Sequence, residues 1–135
     1  MKPNQAHKPL RARRGFSLVE VLAAVAIIGI IAFLALPNIV AIKEDGEMNL
    51  AISRAEAVNM AIASYIQANG RETAITNWSG FGDDDDRYAA LAPYLAFAPT
   101  DFADFVPGGF GIDIPDDLAN LAKAGLTKGG TAVSY

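Results

Sequence analysis

Residues 16–36 read FSLVEVLAAVAIIGIIAFLAL, and only Ser17 and Glu20 interrupt the apolar run. Val21–Leu36 contains no polar side chain. As an α-helix, these residues extend about 31 Å at roughly 1.5 Å per residue. That length is close to the roughly 30 Å hydrocarbon core of a bilayer. A helix on a water-soluble core carries a polar face, and this one carries none. A cleaved secretory signal has a shorter apolar core followed by a small-residue cleavage site. Here Leu36-Pro37-Asn38 leads instead into more helix-like sequence. The stretch therefore predicts a retained membrane helix, placed by ordinary hydropathy logic.

On its N-terminal side lies a basic head. Residues 1–15 carry Lys2, Lys8, Arg11, Arg13 and Arg14 with no acid, a charge of +5. Residues 16–135 hold six bases against all fifteen acids, a charge of −9, so the net −4 conceals a strong asymmetry. Basic residues beside a membrane segment stay cytoplasmic, which puts the acidic body on the other side. An acidic body also argues against direct nucleic-acid binding, which needs a basic surface. With 135 residues, the chain holds one ordinary domain, or a small domain and an appendage. It has no cysteine, which excludes disulfides, thiolate zinc sites and cysteine nucleophiles. Its one histidine, His7, falls in the basic head. A chain relieved of that head can build neither a Ser-His-Asp triad nor a common zinc site. Acid–base chemistry by a carboxylate pair is the remaining enzymatic option, and no pair is marked by position. The chain is therefore read as no enzyme.

Glu20 needs a reason to sit in the apolar run, because a carboxylate at that depth costs about 2.5–3.5 kcal/mol on insertion scales. It can snorkel to the headgroups, or it can pair with a buried cation. No base occurs between Phe16 and Ile42. The cation must then come from another chain or from a newly made N-terminus. In the first helical turn an anion also complements the helix dipole.

The segment Arg14-Gly15-Phe16-Ser17-Leu18-Val19-Glu20-Val21-Leu22 resembles the processing site of type IV prepilins and type II secretion pseudopilins. The family pattern is a basic leader ending in Gly, then Phe, then Glu at the fifth mature position, then an apolar helix. Gly29 and Pro37 match a helix-weakening Gly and Pro that many members carry. The resemblance covers residues 11–38 well and reaches more loosely to about residue 70. It implies that a prepilin peptidase cuts between Gly15 and Phe16, and that the new Phe16 amine is methylated. It also implies that Glu20 faces the Phe16 amine of a neighbouring subunit during assembly. That ammonium is the missing cation, and pairing removes two lone charges from an apolar environment.

Beyond the membrane segment, Pro37 removes one helical hydrogen bond and crowds the Phe33 carbonyl, so a kink is expected there. Asn38–Asn69 still reads as helix. Leu50, Ala51, Ala55, Val58, Ile62, Tyr65 and Ile66 recur at helical spacing, and Asn69-Gly70 is a stop signal. Thr76–Gly82 reads as a loop anchored by Trp78 and Phe81. Arg87–Leu95 reads as a short helix preceded by the acidic run Asp83, Asp84, Asp85 and Asp86. Residues 98–109 are expected to be irregular. Phe110–Ile114 alternates as a half-buried strand. Asp116–Ala124 reads as a short helix stopped by Gly125, and Thr131–Tyr135 as a final strand paired with Phe110–Ile114.

The expected fold class is α+β: a long N-terminal helix packed on a small C-terminal domain with a two- or three-stranded antiparallel sheet. The expected parts are a cleaved leader (1–15), a transmembrane and assembly helix (16–37), an amphipathic helix (38–70) and a small globular head (71–135). No cofactor is assigned. Asp83, Asp84, Asp85 and Asp86, or Asp113 with Asp116 and Asp117, are candidate calcium ligands, since major pseudopilins as a family bind calcium in this region. The spacing matches no calcium loop, however, and a solvated helix cap is the preferred reading of the run. Many pilins close a C-terminal loop with a disulfide, which a cysteine-free chain cannot do.

The function implied is a structural subunit of a type IV pilus-like filament. Its partners are then copies of itself and related minor pilins, the prepilin peptidase, the inner-membrane assembly platform and the lipid bilayer. It is expected as a single-pass inner-membrane protein with its C-terminal domain outside the cytoplasm, and later in a periplasmic or extracellular filament. The alternatives are a pseudopilin of a type II secretion system, a competence-type pilin, and a monomeric membrane-anchored binding module.

Overall fold

The computed structural model describes residues 15–135, so the leader assigned to residues 1–15 lies outside the described residues except for Gly15. Contacts divide the chain into two compact units between Ala41 and Ile42.

One helix, α1 (Leu18–Asn69), carries the apolar stretch and continues through Pro37. Proline deletes a single hydrogen bond, whereas helix propagation on either side is cooperative, so the helix resumes at once. In the first unit, none of the most apolar 18-residue window of α1 is buried. An apolar helix with nothing covering it is long and apolar enough to cross a membrane. A signal-peptide cut after Leu36 would fall inside α1, the same helix that supplies core residues further on.

In the second unit, α1 buries Ala51, Ala55, Val58, Ala61, Ile62 and Tyr65. Small residues dominate its early turns, which lets other elements approach closely. Leu50, expected in this stripe, instead faces solvent, and Ile66 is only partly buried. Leu50 precedes Ala51 by about 100° of helical rotation, enough to leave the face. The core is completed by Ala74 and Trp78, Tyr88 and Leu91, Phe105, Ile112 and Ile114, and by Leu118, Ala124 and Leu126.

Asn69 ends α1 by donating to the Tyr65 carbonyl at 2.9 Å. Gly70 then takes φ +77°, a conformation that costs glycine little. The chain re-enters a helix directly, α2 (Arg71–Trp78), so the loop expected over 76–82 is confined to residues 79–82. Ala74 and Trp78 stand four residues apart, so one helical face carries both into the core. The anchoring role expected for Trp78 and Phe81 holds: their rings meet at 5.6 Å, and Phe81 packs against the core.

Helix α3 (Asp84–Leu91) begins earlier than Arg87, because the acidic run forms its first turn and Asp83 is its N-cap. Pro93 turns the exit into a short 3-10 segment, Ala92–Tyr94. A second 3-10 turn, Phe102–Asp104, lies in the otherwise irregular 98–109 stretch.

The sheet has three antiparallel strands in the order β1 (Phe110–Asp113), β2 (Gly125–Lys128), β3 (Thr131–Val133). The last strand pairs with β2 and not with β1, with Lys128 opposite Thr131. A central strand thus lies where only a helix stop at Gly125 was expected. Gly129 and Gly130 both take positive φ, as a two-residue hairpin turn requires. Gly111 is opposite Thr127, and a Cβ there would come within 2.9 Å of the Thr127 hydroxyl.

The helix expected over Asp116–Ala124 does not form. Asp117 accepts from the Ala119 amide at 2.7 Å and from the Asn120 side chain at 2.9 Å, a local alternative to helical bonding. Those two hydrogen bonds, the Asn120 one first, hold its carboxyl below the usual range. Arg71 takes the Ala119 carbonyl at 3.1 Å, and Asn59 takes the Ala124 amide at 2.8 Å. Tertiary partners have claimed the backbone groups a short helix would need.

Candidate functional site

Gly15, Phe16 and Ser17 precede α1 and are not helical. All three are exposed, Phe16 at 89 %. A Cβ on Gly15 would meet nothing within 4 Å. Nothing within the described chain requires glycine there.

Ser17 and Glu20 cap α1 reciprocally. The Ser17 amide donates to Glu20 Oε2 at 2.8 Å, and the Glu20 amide donates to Ser17 Oγ at 3.1 Å. This is a capping box, and it satisfies two N–H groups that the first turn leaves free. It gives Glu20 a hydrogen-bonding role within its own chain, beside the charge pairing the resemblance implies. The box neutralises no charge, and among the described residues no base pairs with the carboxylate. The spacing Ser-x-x-Glu before an apolar run was the legible signal for it. Phe16, Glu20, Val21, Ala24 and Val25 line a shallow, mainly apolar groove beside this box.

A non-helical, exposed peptide junction, a carboxylate one helical turn on and an uncovered apolar helix are thus adjacent in the first unit. Residues 10–36 match the family model described as the prokaryotic N-terminal methylation motif. The chain has a prepilin-type N-terminus. Among curated proteins, the chain is 36 % identical over 61 residues to type II secretion system core protein G of Aeromonas hydrophila, covering 45 % of this chain and 43 % of that one. It is 34 % identical over 68 residues to the type IV major pilin protein PilA of Myxococcus xanthus, covering 50 % and 31 %. It is 36 % identical over 53 residues to type II secretion system core protein G of Escherichia coli, covering 39 % and 37 %. The chain thus spans less than half the length of each of these relatives. No solved structure matches it. The prepilin-type segment includes Gly15, Phe16, Glu20 and Gly29, and Pro37 follows it directly.

Gly29 and Pro37 both lie within unbroken helix, and a Cβ on Gly29 would meet open space. Their expected weakening effect has no packing counterpart in the single chain.

The acidic run is used locally. Asp83 accepts from the Asp86 amide at 3.0 Å, and Asp86 accepts from the Gly82 amide at 3.1 Å. Asp84 pairs with Arg87 at 2.8 Å, with a longer contact to the Ile114 amide at 3.5 Å. The carboxylates cap α3, complement its dipole and tie it to the end of β1. Among the described residues, no three Asp, Glu, His or Cys side chains gather as a metal cluster would need. Calcium takes six to eight oxygen ligands. Among the described residues, neither the 83–86 run nor Asp113, Asp116 and Asp117 supplies three converging carboxylates.

Proposed function

We propose that the chain is a structural subunit of a type IV pilus-like filament, cut between Gly15 and Phe16 and polymerised from the inner membrane through α1. The Gly15-Phe16 junction, one turn ahead of Glu20 on an uncovered apolar helix, carries this reading. The processed chain would keep its capping box, because the Phe16–Ser17 peptide survives the cut. The new Phe16 ammonium would then supply a cation for Glu20. We assign the chain a structural role and no catalytic one. Its partners are copies of itself, minor pilins, a prepilin peptidase and the assembly platform, and its acidic body is directed away from the cytoplasm.

A second reading, a pseudopilin of a type II secretion system, draws support from the protein G relatives. The matched segments cover at most half of this chain. Both readings make the same N-terminus. Protein extracted from membranes of cells with an active prepilin peptidase should begin at Phe16 and carry one added methyl group. Recovery of an intact Met1 start from such cells would reject both.

Gly29 and Pro37 acquire a role in the polymer. In lipid, exposed backbone polar groups are costly, which favours continuous helix in a free subunit. In a filament, neighbouring chains can cover backbone that has lost its hydrogen bonds, and the local cost of glycine and proline then favours melting. A filament reconstruction should show α1 interrupted between Gly29 and Pro37. Unbroken helix from Leu18 to Asn69 in such a map would overturn this part of the proposal.

A further inference from the structure

In the second unit, three separated parts of the chain converge on one flank of α1: the helix itself, the loop before β2 and the residues after β3. The Ala124 amide donates to Asn59 Oδ1 at 2.8 Å, and the Ala124 carbonyl accepts from the Tyr135 hydroxyl. Asn59 Nδ2 lies 3.4 Å from the same hydroxyl. The buried residue Ala124 is thus held through the peptide groups on both of its sides, one by a helix residue and the other by a residue beyond the last strand. Beside it, Lys123 Nζ bonds the Tyr135 backbone oxygen at 2.8 Å, pairs with Glu56 Oε1 at 3.0 Å and stands 3.7 Å over the Tyr135 ring. The Lys123 side chain and then Asn59 hold the Glu56 carboxyl below its ordinary range. With no cysteine in the chain, no disulfide can serve here.

We propose that Asn59, Lys123 and Tyr135 form a reversible, non-covalent lock that fastens the β2–β3 hairpin to α1, so that the 119–124 loop and the hairpin release together when it breaks. Ala124 directly precedes β2, and Tyr135 lies two residues beyond β3, so the lock grips both ends of the hairpin. The core residue within the hairpin is Leu126, with Val133 only partly buried, so little apolar burial opposes release. The hydrogen bonds therefore carry a large share of the restraint. This proposal does not depend on polymerisation.

Trypsin tests the lock on the full chain in detergent micelles, with cleavage sites followed by mass spectrometry. Cleavage after Lys123 needs the Lys123–Ala124 peptide in an extended, freely accessible form. Tyr135→Phe removes one hydroxyl and keeps the ring under Lys123, while Asn59→Ala removes the opposite grip. Each should speed cleavage after Lys123 and Lys128 about tenfold, the loss of one hydrogen bond to a buried group. Cleavage after Arg54 and Arg87 should keep its wild-type rate. The double variant should be little faster than the faster single one, since either change opens the same element. Unchanged cleavage after Lys123 in Tyr135→Phe would overturn the lock. A parallel rise at Arg54 and Arg87 would also overturn it, because the head would then be melting as a whole.

Discussion

Glu20→Gln is expected to leave the protein processed and resident in the membrane but unable to build filaments. The amide oxygen of Gln still accepts from the Ser17 amide, so the capping box survives. Insertion should be at least as good, because a carboxylate costing about 2.5–3.5 kcal/mol in the bilayer has gone. Only the charge is lost. If a neighbour's Phe16 ammonium is buried against this position in the polymer, it is left unpaired. Breaking one side of a buried pair costs about 3–5 kcal/mol. That is a factor of more than about 100 at each subunit contact, and it recurs along the filament. Glu20→Ala removes the cap as well and should be no better. Ser17→Ala is the counterpart: it deletes one capping bond, worth about 0.5–2 kcal/mol, and keeps the charge. It should still assemble. The measurement is cleavage, membrane fraction and sheared filament yield for all three variants. Wild-type yield from Glu20→Gln would remove the charge-pairing argument. Loss of filaments from Ser17→Ala alone would instead make helix capping the requirement.

The long helix was readable because its signals are local and redundant. An apolar run of membrane length, helical spacing from Ala51 to Tyr65 and a Gly70 stop all point the same way. The prepilin-type junction was readable because its residues lie within one short, contiguous segment. The errors fall where tertiary partners decide. Asp116–Ala124 has helical composition, but Arg71, Asn59 and the side chain of Asp117 take the backbone groups that a helix would use. Strand β2 is only four residues, with Leu126 its one buried side chain, too short for an alternating pattern to stand out. The Gly129-Gly130 turn was the local cue, and it fixes the pairing of β2 with β3. The acidic run was assigned correctly as a cap but placed outside the helix, since nothing in four identical residues says which one is the N-cap.

Trp78→Ala should strongly destabilise the head while leaving the apolar half of α1 in the membrane. Trp78 is 1 % exposed and is the largest of the fully buried side chains. Its ring packs on Tyr65 at 5.4 Å and Phe81 at 5.6 Å, and Nε1 donates to the Pro115 carbonyl at 2.8 Å. It thereby joins α1, α2 and the chain leaving β1, none of which is held by a disulfide. A large-to-small change at such a site costs about 3–5 kcal/mol. A domain of this size is stable by only about 5–15 kcal/mol in total. At roughly 4–8 °C per kcal/mol for a domain of up to about 100 residues, the midpoint should fall by more than about 12 °C. Trp78→Phe separates the two contributions, retaining an aromatic ring and losing the bond to Pro115. It should cost less, with a bond worth about 1–3 kcal/mol once its buried partner is left unsatisfied. All four tyrosines lie between residues 65 and 135. The tyrosine band in near-ultraviolet circular dichroism of the full chain in micelles therefore follows the head and not the membrane helix. A midpoint within a few degrees of wild type for Trp78→Ala would show that Trp78 does not hold these elements together.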